Sequence, residues 1–263
     1  MGAGSDNPFS REQKDRALFD RIASAYARKD TYPPSAIARQ AQLRYALEPI
    51  LGDSVPEFAL VEIGCGVGAA ARYLHGLYGR YIGIDQAGEM IRVAEKLHRG
   101  DRQILFIHDS IKSERLPRHV ADVVLADGAL HHMSELDKVM GAVVRIARPS
   151  AWVVVREPLN HNPLFQAMRR LRQKLDRSYS SGQHFFSETE LRELFRRAGI
   201  KEIDTGYFGF FSTPFAQVIL RPQWVFTPLS RLAVHLDRWL ERHLPLALKR
   251  MAFNVVVRGR VAS

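Results

Sequence analysis

Cysteine is almost missing from this 263-residue chain: Cys65 is the single one, which excludes a disulfide framework and a cysteine-based metal cluster. There is also no uninterrupted apolar run of about 18 residues, the length a membrane-spanning helix needs. Met1 to Ser10 is polar, without the apolar centre of an ordinary signal peptide, so a cytoplasmic protein is expected, with peripheral contact at a membrane surface as a further option. Internal repeats and low-complexity tracts are lacking too. Acids are outnumbered, 28 against 38 Lys and Arg, for a net charge of +10. That excess makes nucleic acid or an anionic surface a rival partner. The length suits one domain, 1–263, with a full α/β core.

What is present concentrates at residues 61 to 68, Val-Glu-Ile-Gly-Cys-Gly-Val-Gly. The apolar run Phe58 to Ile63 reads as a buried strand, and a helical stretch from Ala69 to Leu77 follows the glycines. Gly64, Gly66 and Gly68 allow a tight loop whose backbone N–H groups approach a ligand. Cys65 inside it reads as a small apolar residue packed beneath the loop. Glu62 selects between ligands. A pyrophosphate on this helix N-terminus would be repelled by the acid, whereas S-adenosylmethionine carries a sulfonium and an ammonium and is favoured by it.

Three more strands end in or beside an acid. They are Arg80 to Asp85, Gln103 to His108 before Asp109-Ser110, and Ala121 to Ala126 before Asp127-Gly128. An acid at a strand end is also often a helix cap; four in order at one sheet edge are not explained by capping. With these four motifs the chain resembles the class I S-adenosylmethionine-dependent methyltransferases, in particular the small-molecule group that includes quinone and sterol methyltransferases. The resemblance runs from about Phe19 to the end. It implies a Rossmann-like α/β fold, with a seven-stranded mostly parallel sheet flanked by helices. It also implies a set of cofactor residues: Glu62 and the loop Gly64, Cys65, Gly66 and Gly68 at the methionine part, Asp85 with Gln86 at the ribose, and Met90 beside the adenine. Asp109, Ser110 and Ile111 would read the adenine, Asp127 and Gly128 would line the methionine end, and Tyr26 would touch the cofactor from an N-terminal helix, although Tyr26 equally reads as ordinary packing.

The expected organisation is an N-terminal helical cap (1–54), a cofactor-binding core (55–158), a lid insertion (159–186) and a C-terminal half (187–263) with an insertion at 211–249 before the last strand. Ser134 reads as the cap of a helix stopped by Pro149, and Ser187-Glu-Thr-Glu190 as a capping box whose helix stops at Gly199. Strands are expected at Ala151 to Val155, Glu202 to Phe211 and Asn254 to Arg258. The lid carries Arg169, Arg170, Arg172, Lys174 and Arg177, a solvated face or an anion-docking one. In the later insertion, a helix begun by Thr227-Pro228 carries Leu229, Leu232, Ala233, Leu236, Trp239 and Leu240 on one stripe opposite arginines. Such a stripe suits a core, a homodimer contact or a membrane interface.

Methyl transfer is an in-line displacement that needs no protein nucleophile, but an oxygen or nitrogen acceptor must lose a proton. His131 and His132 stand where a neutral imidazole, with an ordinary pKa near ~6.5, could take it, and their alternative is a structural start of the next helix. His184 and Glu157 are weaker candidates for that role. No metal is expected, because Gly128, Ala129 and Leu130 occupy positions where metal-dependent quinone methyltransferases place glutamates. A small, hydrophobic or lipid-like acceptor is expected, methylated on O, N or C in biosynthesis. The alternatives are an RNA methyltransferase and an inactive binding protein of the same fold.

Overall fold

The computed structural model describes residues 8–51, 57–163, 165–167 and 184–263. The basic segment Arg169 to Arg177, read from sequence as part of a lid, lies outside them. Two helices come first, α1 (Pro8–Thr31) and α2 (Pro33–Leu47). Strands and helices then alternate: β1 (Ala59–Ile63), α3 (Ala69–Tyr73), β2 (Arg80–Asp85), α4 (Gly88–Leu97), β3 (Ile104–His108) and β4 (Ala121–Asp127). A 3-10 turn at Leu130–His132 leads into α5 (Leu136–Ile146) and β5 (Ala147–Pro158). From residue 184 on come α6 (Glu188–Arg197), β6 (Lys201–Phe208), α7 (Thr213–Gln217), α8 (Gln223–His243), α9 (Leu246–Lys249) and β7 (Asn254–Arg260).

Among the described residues the sheet has seven strands in the order β3-β2-β1-β4-β5-β7-β6. β7 runs antiparallel to both its neighbours and the other pairs are parallel, as expected of the Rossmann-like fold. The strand periodicity of two sorts side chains between the faces. Val61, Ile63, Val124 and Ala126 pack with Val139, Leu191 and Phe195 of α5 and α6. Leu60, Val123 and Leu125 pack with Leu43, Leu47 and Leu74 on the other face. Because both faces are covered, the central strands are nearly continuous apolar runs. Chain order reverses between β1 and β4, and beyond the C-terminal ends of strands at such a switch a crevice opens.

The capping box at Ser187 and Glu190 forms as read, and Gly199 follows α6 with φ +76°. Several boundaries differ. α3 ends at Tyr73 rather than Leu77. The cap position of α5 is Glu135, at φ +53°, not Ser134, whose backbone N–H donates to Glu12 of α1 at 2.6 Å. β5 already begins at Ala147, so Pro149 lies within a strand and does not stop the helix. α8 begins four residues before Thr227, and Pro228 sits inside it.

β6 also stops early, at Phe208, because Asp237 of α8 takes the next backbone donors. Its fully buried carboxylate accepts N–H bonds from Phe210 (3.0 Å), Phe211 (2.7 Å) and Ser212 (3.0 Å). Asp237→Ala leaves these donors without their acceptor and is expected to lower the unfolding free energy by ~2 kcal/mol or more, read from urea denaturation. An unchanged midpoint would mean that the loop holds without it.

Candidate active site

Parallel strands deliver their C-terminal residues to one edge, and the four acids read from sequence arrive there. The loop after β1 is tied to β2, since Gly64 N (2.8 Å) and Cys65 N (3.1 Å) both donate to Ile84 O. Gly64 has φ +67°, and a Cβ there would come within 2.6 Å of Ala129 Cβ, so the loop needs glycine at this point. Gly66, at φ +53°, faces open space, and its N–H donates to Asp85 Oδ2 at 2.8 Å. Asp85 Oδ1 accepts from Ala87 N at 2.8 Å. One carboxylate therefore locks the glycine loop to the β2–α4 turn. Burial pushes the Asp85 carboxyl up while these two N–H bonds oppose the shift.

Above this edge is a cavity of about 420 Å³, roofed by α1, within the size range of small-ligand sites. Of the fourteen residues assigned to cofactor binding, thirteen line it. The exception is Gly68, which packs beneath the loop on the Phe106 ring. The Cys65 thiol is buried and pushed well up, first by burial and then by Asp85 and Glu62, which keeps it protonated and unreactive.

The other acids have distinct surroundings. Glu62 is buried and accepts a short hydrogen bond from Tyr81 Oη. Burial, then Asp127, push its carboxyl well above the usual range. Asp127 is equally buried, but its ion pair with Arg156 outweighs the burial and holds it below the usual range, with Arg39 at 3.8 Å on the other side. Asp109 accepts from Ser110 N at 2.8 Å and pairs with Arg115 at 3.2 Å; burial opposes its charge, and Ser113, Ser110 and Arg115 outweigh it.

Past Asp127 the chain turns so that both histidines enter the cavity wall, each held by a carboxylate. His131 Nδ1 lies 2.6 Å from Glu157 Oε2, while Glu157 Oε1 accepts from Leu130 N at 2.7 Å. His132 Nδ1 lies 2.9 Å from Asp15 Oδ2 of α1, and its ring meets Phe19 edge-on at 4.9 Å. The two imidazoles are 4.1 Å apart. Burial, then His131, push the His132 pKa down, against the pull of Asp15. His184 is elsewhere: it is exposed, 3.2 Å from Glu190 of the capping box, and is not part of the cavity wall.

Comparison with known proteins gives this edge a family. Residues 61–155 match the model of a methyltransferase domain. A SAM-dependent methyltransferase of Thermotoga maritima superposes with a TM-score of 0.63 at 19% identity, covering 93% of this chain and 98% of that one. Phosphoethanolamine N-methyltransferase 2 of Haemonchus contortus, solved with S-adenosyl-L-methionine, superposes at TM-score 0.58 and 14% identity, over 84% of this chain and 53% of its own. Residues 61–155 therefore form a methyltransferase domain, and the fold around them is shared with S-adenosylmethionine-dependent methyltransferases. A ubiquinone biosynthesis O-methyltransferase of Rhodopseudomonas palustris is 28% identical to this chain over 111 residues, which are 42% of it. The match spans 43% of that relative's length.

Arg39, Asp30 and Arg156 of the cavity wall, and Asp15 behind His132, were not read from sequence. Arg39 and Asp30 come from α2 and α1 and lie 3.5 Å apart, Asp30 buried and Arg39 mostly so; neither the Asp30 carboxylate oxygens nor Arg39 Nε makes a hydrogen bond among the described residues. Nothing in their local sequence separates them from an ordinary helix face. Arg156 was findable, since β4–β5 pairing sets it opposite Asp127. Asp15 reaches His132 from across the chain, with no local signal.

The His132 environment fixes a pH effect. Its ring is expected to titrate below the ordinary ~6.5, and Asp15→Asn, which removes the carboxylate that favours the charged ring by hydrogen bonding, is expected to lower it further. Because the folded pKa is depressed, the stability His132 contributes is present above the unfolded value and is lost as pH falls from there to the folded pKa. Ring-proton NMR titration of both forms checks the direction; a raised His132 pKa would contradict it.

Proposed function

We propose that the chain transfers a methyl group from S-adenosylmethionine to a hydroxyl or amine of a small, apolar acceptor in a biosynthetic step. The observation that carries this reading is that the acid-ended strands and the carboxylate-held His131 open on one cavity. The O-methylation named for its ubiquinone-biosynthesis relative supports oxygen as the acceptor atom.

The wall fits the cofactor. Asp30 and Arg39 carry buried atoms without hydrogen bonds, and the ammonium and carboxylate of a methionine end would complete them. Asp85 retains acceptor capacity on both oxygens for ribose hydroxyls, with Gly66 beside it presenting only backbone. Asp109 and Ser110 would face the adenine, next to Met90. When bound, S-adenosylmethionine supplies a methyl carbon activated by its sulfonium.

The chain's own groups do the rest. With Nδ1–H donated to Glu157, the His131 ring keeps its lone pair on Nε2, so the base is fixed in one tautomer. Glu157, oriented by Leu130 N, stabilises the imidazolium once His131 takes the acceptor's proton. Phe19, Ile22, Met133, Phe185 and Phe253 supply apolar wall for the acceptor, and α1 excludes water from above.

Two measurements test this. Isothermal titration is expected to show S-adenosylhomocysteine binding, weakened by on the order of 2 kcal/mol in Asp85→Ala; no binding to the wild type would end the reading. His131→Gln is expected to lose turnover of the acceptor, identified by mass spectrometry after incubation of extracts with labelled cofactor, while keeping S-adenosylhomocysteine affinity. Full turnover in that variant would remove the base role.

A further inference from the structure

α8 presents its apolar residues to solvent and its polar ones to the protein. Two bonds fix its rotation: Ser230 Oγ donates to Pro34 O of α2 at 2.7 Å, and Asp237 accepts the three N–H groups of residues 210–212. Ala233 is buried between them. Ser230, Ala233 and Asp237 recur at helical spacing, so they define one inward side. Leu229, Leu232, Leu236 and Trp239 then form a neighbouring stripe left largely open: Leu232 is 54% exposed, and Trp239, stacked on His243 of the same helix, 56%. Trp224, at the start of the helix, is 79% exposed. The sequence reading that left this stripe open as core is therefore corrected. Only Ala233 and Leu240 of the stripe turn toward the fold.

Arg231, Arg238 and Arg242 lie along the far flank of the stripe, all exposed, and no ion pair is recorded for them among the described residues. Residues 211–252 contain two acids, Asp237 and Glu241. Asp237 is buried, and Glu241 is engaged by Tyr45 Oη at 3.4 Å and Lys249 at 3.9 Å. The outward face is thus apolar and cationic, with no opposing free carboxylate.

We propose that this face of α8 is an interfacial docking surface for an anionic lipid bilayer. The indole and leucine side chains enter the headgroup boundary, and the arginines rest on the lipid phosphates. Charge selects this occupant. A second copy of the chain would set like guanidinium rows near one another, and a nucleic acid would meet the arginines but leave the leucine stripe in water. No helix among the described residues is long and apolar enough to cross a membrane, so the contact is lateral. The chain leading into α8 reaches the cavity: Gln217 lines it, and the next residues, Val218 and Ile219, are exposed. An acceptor dissolved in the bilayer would have a short apolar path to the site. The docking itself does not rest on the methyl-transfer reading.

The test floats the full chain with phosphatidylcholine vesicles, with and without phosphatidylglycerol, at low and high salt. Flotation is expected with the anionic vesicles and is expected to weaken with salt. Leu232→Glu with Trp239→Glu is expected to abolish it, and replacing Arg231, Arg238 and Arg242 by Gln to weaken binding on the order of tenfold or more. These side chains are exposed, so unfolding midpoints should not move; if the double variant is destabilised, Trp224→Glu alone repeats the measurement at the most exposed residue. No flotation, or flotation that all these variants retain, overturns the proposal. A dimer in light scattering that the double variant dissociates, without vesicle binding, overturns it in favour of self-association. Retention of RNA without flotation overturns it in favour of nucleic acid.

Discussion

Asp127 lies between two guanidinium groups, and the placement of much of the chain follows from holding it there. An unpaired carboxylate this deep would cost several kcal/mol. Arg156 reaches it through the β4–β5 register, and Arg39 approaches it from α2. Arg39 in turn requires α2 to be fixed on the sheet. That is done from β7, where Arg258 donates to the last carbonyls of α2, Tyr45 O (2.7 Å) and Ala46 O (2.7 Å), a favourable place for a cation. α2 then receives Ser230 of α8. The acidic edge of the sheet and the orientation of a distant surface helix are linked through one element.

The sheet and its edge were legible because their signals are local. Strand identity lay in short apolar runs, Glu62, Asp85, Asp109 and Asp127 stood at their ends, and the Ser187–Glu190 box declared its own helix. Boundaries failed where a distant side chain competed. Ser134 has the composition of a cap, but Glu12 from α1 claims its backbone, and Glu135 takes the cap position. Pro228 reads as a helix start, yet the chain is already helical from Gln223. Arg39 and Asp30 become parts of the cavity wall only when α1 and α2 fold over it, which no local spacing encodes.

α8 illustrates the limit of an apolar stripe as a guide. Leu, Leu, Leu and Trp at helical spacing ordinarily mark the inward side. Here the inward side is decided by hydrogen bonds to a serine and an aspartate, because the loop after β6 has three backbone donors that need an acceptor. Satisfying buried N–H groups outweighed burying the leucines, and the apolar area was left at the surface. A contiguous exposed patch of this kind, bordered by cations, ordinarily has a partner.

The buried Glu62 sharpens the choice of ligand that its sequence position first suggested. Without a ligand, burial and the neighbouring Asp127 both oppose its charge, and Tyr81 and Arg39 only partly offset them. A cation entering the cavity would favour the ionised form and relieve that opposition, so binding of a sulfonium and an ammonium would be coupled to the ionisation of Glu62. A pyrophosphate would do the reverse: it would add negative charge beside Glu62, Asp85 and Asp127, and keep Glu62 protonated at further cost. The guanidinium of Arg39 does not change this preference, since Asp30 and Asp127 already lie 3.5 and 3.8 Å from it. On this reading the edge is selective because its acids are poorly solvated, and a cationic ligand is the one that completes them.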